Sequence, residues 1–266
     1  MSKKTRSHEH RVEIRTPLER VWQALVDPKD VTNWYVLEAR ITPGKGGRYW
    51  VSFGPKQDGE ARIEHWEPPV RLRLVQIPHD DKSSKLSEPI AEEYFLERQG
   101  DLTVLRMVQS GIPDTADWDD YFDGTKDGWD LFFAGLGHYL EYHPGQAREQ
   151  IQLVSRSKGS PEELMKRLCG DKGLCLEKPC EALQAGQVAR LDTAGGQRFR
   201  GKVYFARPRS LGMDLEELDH AYLDTGVLGS GEGAIVMVTV SVYGARSDQA
   251  ASLRNHWHGW FEKLFP

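Results

Sequence analysis

One local pattern occurs twice in this chain and constrains its fold more than any other feature. An alternating apolar and polar segment, residues 10–15, runs into Thr16-Pro17-Leu18-Glu19, and another, residues 150–154, precedes Ser160-Pro161-Glu162-Glu163. In each tetrapeptide the hydroxyl residue suits a helix N-cap, Pro suits the first turn, and Glu completes a capping box. A strand followed by a helix start, present twice, predicts two domains of similar construction.

Both halves also end in an aromatic-faced helix. Apolar residues recur at helical spacing from Trp129 to Leu140 and again from Leu253 to Leu264. Pro144-Gly145 follows the first of these helices, where helices commonly stop. The pattern predicts a flexible basic tail over residues 1–9, a first domain over 10–145 and a divergent second domain over 146–266.

Between these helices, short alternating segments separated by Gly and Pro turns predict an antiparallel meander, clearest between residues 48 and 109. In the second half, 198–205 and 234–243 are clear strands, whereas 211–223 is ambiguous. The order favours an α+β fold in which a curved antiparallel sheet wraps a long closing helix.

Composition excludes several classes of protein. The 266 residues are 39% hydrophobic with a mean hydropathy of −0.58, and no apolar run is long enough to cross a bilayer, so membrane insertion is not expected. A net charge of −5 gives no electrostatic reason to expect nucleic acid. The first residues are basic and polar without an apolar stretch, which predicts a cytoplasmic protein.

Metal and cofactor motifs are weak. Cys169, Cys175 and Cys180 match no common zinc spacing, and we expect partly buried thiols. His8-Glu9-His10 looks like a metal clip, but it falls in the predicted tail, where a surface role is favoured. We expect no metal and no cofactor.

Four short motifs lie in a distinctive order in the first half. They are Thr16-Pro17 ahead of Val21-Trp22, the glycine turn Pro43-Gly44-Lys45-Gly46-Gly47, the segment Trp66-Glu67-Pro68-Pro69, and Gly128-Trp129 ahead of the closing helix. Together they resemble the SRPBCC superfamily of START-like and Bet v 1-like proteins, and most closely its branch named after the activator of Hsp90 ATPase. The second half resembles the same fold only through Ser160-Pro161 and its closing helix, with different loop lengths.

The resemblance implies a helix-grip fold, here duplicated, with an internal cavity in the first domain. The expected function is binding of a small hydrophobic molecule, lipid-like or polyketide-like, rather than catalysis. The alternative is a chaperone-linked regulatory or protein-interaction module of the Hsp90 activator type. A third reading is a cyclase-like or dehydratase-like enzyme that acts in the cavity.

Aromatic residues favour the first half as the site of that cavity, since six of the eight Trp residues precede position 145. The same side chains could equally fill a solid core, so both readings stay open. Strand parity and the resemblance together give the predicted ligand-binding residues, which are Trp34, Tyr49, Phe53, Trp66, Leu74, Phe95, Met107, Trp129 and Phe133.

Catalytic candidates are few. His65 follows Ala61 and Ile63 at strand spacing, which would place its imidazole beside the cavity as a general base, although a hydrogen-bonded core role is favoured. Seven Asp residues fall within 114–130, where we expect part of the run to cap the closing helix and the rest to form a solvated loop. A lid or a docking site for a basic partner is the functional alternative for this acidic segment.

Overall fold

A computed structural model describes residues 4–78, 89–229, 231–244 and 247–266, without the side chains of 232 and 247–249. It divides the chain into two compact units, Met1–Gly145 and Gln146–Pro266. Each unit is an antiparallel sheet with a long closing helix, so the predicted α+β class and duplicated helix grip are confirmed.

Within the described residues, the first unit is a seven-stranded sheet with three helices. The strands are β1 (Thr5–Ile14), β2 (Glu38–Ile41), β3 (Arg48–Ser52), β4 (Asp58–Glu67), β5 (Arg71–Gln76), β6 (Ala91–Gln99) and β7 (Leu102–Pro113). The helices are α1 (Leu18–Val26) and α2 (Pro28–Trp34), between β1 and β2, and the closing helix α3 (Asp119–Tyr142).

The sheet order is β1-β7-β6-β5-β4-β3-β2, so the first strand pairs with the last and the remaining strands form a meander. Helix α3 lies on the face that we call the inner face, where the Trp129 ring is 6.1 Å from that of Tyr94 on β6. Side chains alternate between the inner face and the opposite, outer face along each strand, except at bulges.

The predicted flexible tail is wrong from Thr5 onward. Residues 5–9 belong to β1, and β1 pairs with β7 along its length, from Thr5 opposite Pro113 to Ile14 opposite Thr103. The polar composition of the segment misled the prediction, because the exposed Ser7, Glu9 and Arg11 alternate with His8 and His10, which are both more than 90% buried. On its inner face β1 therefore carries His8 and His10, where a typical buried strand carries apolar residues such as Val or Ile.

The start of α1 also differs from the prediction. The helix begins at Leu18 with Pro17 in the N-cap position, and no side chain caps it, so Thr16 does not form the expected capping box. The carbonyl of Thr16 instead accepts a hydrogen bond from the Thr103 hydroxyl at 2.7 Å, which ties the turn to β7.

A buried polar cluster fixes the three helices of the first unit against each other. The Arg20 guanidinium on α1 donates two hydrogen bonds of 2.7 Å to the carboxylate of Asp30 on α2. The hydroxyl of Tyr139 on α3 donates to the same carboxylate and accepts from Asn33 at 3.2 Å. A largely buried ion pair is stable only when hydrogen bonds replace the hydration that both charges lose. The Asp30 carboxylate meets this requirement, because Arg20 and Tyr139 both donate to it.

Helix α3 is longer than predicted. It begins at Asp119 and runs for 24 residues, so most of the acidic segment expected to be a loop is its first three turns. Asp119 and Asp120 lie in the first turn, where negative charge is favoured by the helix dipole.

The second unit repeats the order strand, helix, strands, helix. Its strands are β8 (Arg148–Gly159), β9 (Val188–Asp192), β10 (Arg198–Arg207), β11 (Ser210–Leu215), β12 (Ala221–Leu228) and β13 (Gly231–Tyr243), and its helices are α4 (Pro161–Cys169) and α5 (Ser247–Leu264). The sheet order β8-β13-β12-β11-β10-β9 again pairs the first strand with the last.

The predicted capping box is present at the start of α4. The Ser160 side chain accepts from the Glu163 amide, and the Glu163 side chain accepts from the Ser160 amide. The core of this unit is closed by α5, on which Trp257 is fully buried. Helices long and apolar enough to cross a membrane do not occur in the described part of the chain.

Candidate functional site

A cluster of aromatic side chains, which we call the aromatic wall, lies between the inner face and α3 in the first unit. Tyr35, just after α2, stacks on Trp129 at a centroid distance of 5.6 Å and meets Phe132 edge-on at 4.7 Å. Phe133 packs 5.4 Å from Trp129, and Phe53, at the end of β3, lies 5.2 Å from Tyr35. These rings are packed edge-on or stacked against one another as one continuous cluster.

Opposite the aromatic wall, the sheet contributes a mainly apolar floor. Tyr49, Leu74 and Met107 are buried on the inner face. The hydroxyl of Tyr49 donates to the carbonyl of Leu25 at 3.0 Å, so its ring is held in place. Trp34 is also buried, with its indole N–H donating to the carbonyl of Ala24 at 2.8 Å.

A row of polar side chains crosses this floor. Strand pairing places His8 of β1 opposite Gln109 of β7, and Gln109 opposite Glu92 of β6. Gln76 of β5 donates from Nε2 to Glu92 at 3.5 Å. We call these four residues the polar band. Four neighbouring strands thus bring polar groups to one level of an otherwise apolar face.

Glu92 is the centre of the polar band. Its carboxyl group accepts a hydrogen bond from the Tyr94 hydroxyl at 3.0 Å and one from Gln109 Nε2 at 3.3 Å. The Tyr121 hydroxyl of α3 lies 3.4 Å from Gln76 Nε2 and covers the band from above. The carboxyl group therefore lies on the α3 side of the sheet, where Glu92 stays partly accessible to solvent.

Burial changes the acid–base behaviour of these groups. Loss of hydration raises the pKa of Glu92, so its neutral form persists to higher pH than in an exposed Glu. Burial, followed by the nearby Glu92 carboxyl, also raises the pKa of Tyr94. Burial raises the pKa of Tyr121 to about 12. The hydroxyl groups of Tyr94 and Tyr121 beside the band therefore stay protonated.

A second polar chain extends from the band toward α3. His8 Nδ1 lies 2.9 Å from His10 Nε2, and His10 Nδ1 lies 2.6 Å from the Asp130 carboxylate. His8 Nε2 lies 3.2 Å from the Thr125 hydroxyl. Burial, and next the neighbouring His10, lowers the pKa of His8 to about 4, which keeps its imidazole neutral near pH 7.

Sequence reasoning missed Glu92, Gln109 and the two histidines. A period-two pattern identifies an inner face by its apolar residues, so polar residues on that face read as solvent-exposed. One sequence signal did indicate an inward position for Glu92: it alternates along β6 with Tyr94 and Leu96, which are both buried.

Two predicted site residues lie on the wrong face. Phe95 pairs with Arg71 and Arg106 on the outer face, where the guanidinium of Arg106 lies 4.1 Å from its ring centroid, so it does not line the interior. His65 also points outward, because a register shift between Ile63 and His65 interrupts the alternation in β4. Its imidazole is more than one-third exposed and lies 3.1 Å from Glu67.

The same bulge places Trp66 on the inner face, where its ring lies 5.2 Å from that of Trp22 on α1. Phe53 contacts the aromatic wall but is 37% exposed, which puts it at the edge of the site. Trp34, Tyr49, Leu74, Met107, Trp129 and Phe133 are all buried toward α3 or the inner face.

Two surface depressions lie away from this interior. One, of about 510 Å³, is in the second unit, between β9, β10 and the segment near Cys175, and is lined by both Arg and acidic side chains. The other, of about 360 Å³, lies near Arg6 at the start of β1. In the described residues no group of three or more His, Cys, Asp or Glu side chains is arranged to hold a metal ion.

Comparisons with known proteins give one family match. Residues 15–141 match the family described as activator of Hsp90 ATPase homolog 1-like protein. No curated protein matches the chain.

Similar solved structures include single-domain and di-domain proteins. The Aha1 dimer from Colwellia psychrerythraea is 17% identical, covering 53% of this chain and 99% of that one, with a TM-score of 0.47. DynU16, a putative protein in the dynemicin biosynthetic locus, is 20% identical over 97% of this chain and 96% of that one, with a TM-score of 0.43. The di-domain ARO/CYC BexL from the BE-7585A biosynthetic pathway is 13% identical over 98% of both chains, with a TM-score of 0.45.

Proposed function

Because residues 15–141 match the family described as activator of Hsp90 ATPase homolog 1-like protein, we propose that the first unit binds a small, mainly apolar molecule with one polar group. The observation that carries the proposal is the carboxyl group of Glu92, enclosed and hydrogen-bonded opposite the aromatic wall. A buried carboxyl group in an apolar interior is costly, and binding sites are where such groups are retained.

Partial accessibility supports this assignment. Tyr35, Gln76 and Glu92 face inward, yet each retains some solvent-accessible surface, whereas neighbouring Tyr49 and Tyr94 are buried. Side chains that fill a solid core lose that surface. The ligand's apolar body would lie on the aromatic wall and its polar group at the polar band. Affinity would come mainly from buried apolar area, at about 25 cal/mol per Å².

Titration of Trp fluorescence with uncharged aromatic compounds tests the proposal, since Trp129 is part of the wall. Glu92→Leu should weaken binding roughly tenfold, because it removes the polar partner from the site. Glu93→Leu is the matched control, since Glu93 is the next residue on β6 and pairs with Arg71 on the outer face at 2.6 Å. No binding by the unmodified chain, or equal losses in both variants, would refute the proposal.

A protein-directed role is the second candidate, and the family match is the finding that favours it. The exposed acids at the start of α3 would contact a basic surface of an Hsp90-type chaperone. The test measures the chaperone's ATPase rate with and without this protein. Asp120→Lys with Asp123→Lys should abolish any stimulation and leave ligand binding intact.

Acid–base catalysis in the same interior is the third candidate, favoured by the Asp130–His10–His8 chain beside Glu92. A neutral imidazole backed by a carboxylate is a competent base, and a carboxyl group with a raised pKa is a competent acid. His8→Asn should then abolish turnover of a bound carbonyl compound, whereas His65→Ala, on the outer face, should not.

The three thiols Cys169, Cys175 and Cys180 are all free, which supports our proposal that the protein works in a reducing compartment such as the cytoplasm.

A further inference from the structure

We propose that the ligand of the first unit is an uncharged ring compound bearing a free hydroxyl group, and that the site rejects carboxylates. This inference rests on the proposed function and narrows it. It is carried by the distribution of charge over the two faces of the sheet and by one buried acceptor in the polar band.

Most cationic side chains of the strands lie on the outer face. Strand register places Arg71 opposite Phe95, Arg73 opposite Glu93, and Arg106 opposite both Phe95 and Arg11. Arg48 and Arg62 are exposed opposite each other. Arg98, near the end of β6, shares the parity of Glu92, but it is exposed and lies 3.6 Å from Glu19 of α1. In the part of the chain that the structure describes, strands β3 to β7 therefore offer no unpaired cation to the interior.

The two arginines closest to the interior already have carboxylate partners. Arg6, at the open edge of β1, lies 2.6 Å from Asp119 of α3. Arg20 is held by Asp30 through two hydrogen bonds. Recruiting Arg20 to a bound anion would break a largely buried ion pair, which is strongly unfavourable. Arg6 would have to leave Asp119, a more exposed partner.

Acidic groups, by contrast, do face inward. Glu92 lies at the centre of the polar band, and Asp130 on α3 contacts His10 at 2.6 Å. A ligand carboxylate would lose its hydration without meeting a counter-charge and would lie beside Glu92. Burial of an unpaired charge is among the most unfavourable events in a protein interior.

The hydroxyl requirement comes from Gln109. Its Nε2 donates to Glu92 at 3.3 Å, which fixes the orientation of the amide. Its Oε1 is buried without a well-formed hydrogen-bond partner among the described residues. His8, opposite on β1, interacts with the Gln109 side chain in a way that favours a protonated imidazole, whereas the lowered pKa of His8 keeps that imidazole neutral. Gln109 is 1% exposed, so a ligand hydroxyl would reach Oε1 only when the Tyr121 side chain that covers the band moves aside, and it would then donate to this unsatisfied acceptor.

The aromatic wall selects the shape of the remaining part of the ligand. Tyr35 is stacked on Trp34 at 5.1 Å and on Trp129 at 5.6 Å, yet remains partly accessible. Rings held in this way offer flat faces and edges to another ring.

A matched series of naphthalenes tests the inference on the full chain by calorimetry or Trp quenching at pH 7.5. The probes are 2-naphthol, 2-methoxynaphthalene and 2-naphthoate, which share a ring system and differ in the polar group. We expect 2-naphthol to bind best. The methoxy compound, which cannot donate a hydrogen bond, should bind about tenfold more weakly. The carboxylate should bind more weakly again.

Gln76→Arg supplies an independent arm. Combined with Glu92→Gln, which removes the carboxylate that would otherwise pair with it, the new arginine would place an unpaired cation in the polar band, so 2-naphthoate should gain at least tenfold relative to 2-naphthol. Gln99→Arg, at the exposed end of β6, is the matched control and should leave the order of the probes unchanged. The three naphthalene probes on the unmodified chain still test the inference even if the Gln76 variant does not fold.

The outcomes are distinguishable. Equal or tighter binding of 2-naphthoate than of 2-naphthol overturns this inference and leaves the proposed function standing. Equal binding of the methoxy compound and 2-naphthol overturns the hydroxyl requirement. Failure of all three probes to bind refutes the proposed function and this inference together.

Discussion

At the scale of single residues, burial of His8 makes the stability of the first unit sensitive to acid. An unfolded histidine titrates near pH 6.5, whereas the pKa of His8 in the folded chain is lowered to about 4. The unfolded state therefore binds the proton first. The free energy of unfolding should fall as pH drops from about 6.5 to 4, by up to ~1.4 kcal/mol per pH unit, and should be insensitive to this group above pH 7.

Urea unfolding of the His8→Gln variant between pH 4 and pH 8 measures this contribution. The variant should lose part of the acid dependence, because Gln does not titrate. His65→Gln, which alters an exposed imidazole, should keep the full dependence. A His8→Gln chain with an unchanged slope would contradict the assignment.

The ion pair between Arg20 and Asp30 gives a second expectation. Asp30→Ala should lower the free energy of unfolding by about 3–5 kcal/mol, because Arg20 would be left partly buried without its counter-charge. Tyr139→Phe removes one hydrogen bond to the same carboxylate and should cost about 1 kcal/mol. Glu38→Ala, at a largely exposed ion pair, should change little when the variants are compared by denaturant melts.

Residue-level prediction from sequence succeeded where burial follows apolar alternation. Leu74, Met107 and Tyr49 were placed on the inner face in this way. It failed at Phe95, because an aromatic ring on an outer face is stabilised by stacking cations that alternation does not reveal. The polar band was missed because polar residues on an inner face read as solvent-exposed, and the alternation of Glu92 with Tyr94 and Leu96 was the one sign against that interpretation.

At the scale of helices, two nearly identical sequence signals had different outcomes. Ser160 caps α4, whereas Thr16 does not cap α1. The Thr16 carbonyl is instead bound by the Thr103 hydroxyl, and this tertiary contact overrides the local preference. The tetrapeptide therefore predicts that a helix starts nearby, but not which group satisfies its free amides.

A pair of substitutions measures the difference. Ser160→Ala should destabilise the second unit by about 1 kcal/mol, because the hydroxyl that accepts from the Glu163 amide is lost, whereas the bond from the Ser160 amide to the Glu163 side chain is kept. Thr16→Ala should cost distinctly less, since its hydroxyl makes no cap. The comparison uses thermal unfolding of both variants. A larger loss at Thr16 would show that its role has been misassigned.

At the scale of the whole molecule, the two units differ in how their interiors are built. The second is closed by a fully buried Trp257, and its core is aliphatic and aromatic. The first has a polar band in its interior. Duplication could be predicted from the repeated helix starts and closing helices, whereas this difference depends on register between strands far apart in sequence.

Separating the units tests where the activity lies. A chain of residues 1–145 should unfold cooperatively and bind 2-naphthol with the affinity of the full chain, because the proposed site lies within that unit. A chain of residues 146–266 should fold without binding it. Binding confined to the second fragment would contradict the location of the site.

The bulge in β4 has a consequence for how such a chain can change during evolution. Glu64 and His65 share one partner, Arg73, while Ile63 and Trp66 both remain on the inner face. Deletion of residue 64 would restore simple alternation and keep the same two neighbours inside. A one-residue deletion in the regular part of the strand would move every following side chain of β4 to the opposite face of the sheet. Homologous chains that differ in length by one residue in this strand should therefore carry the gap at the bulge.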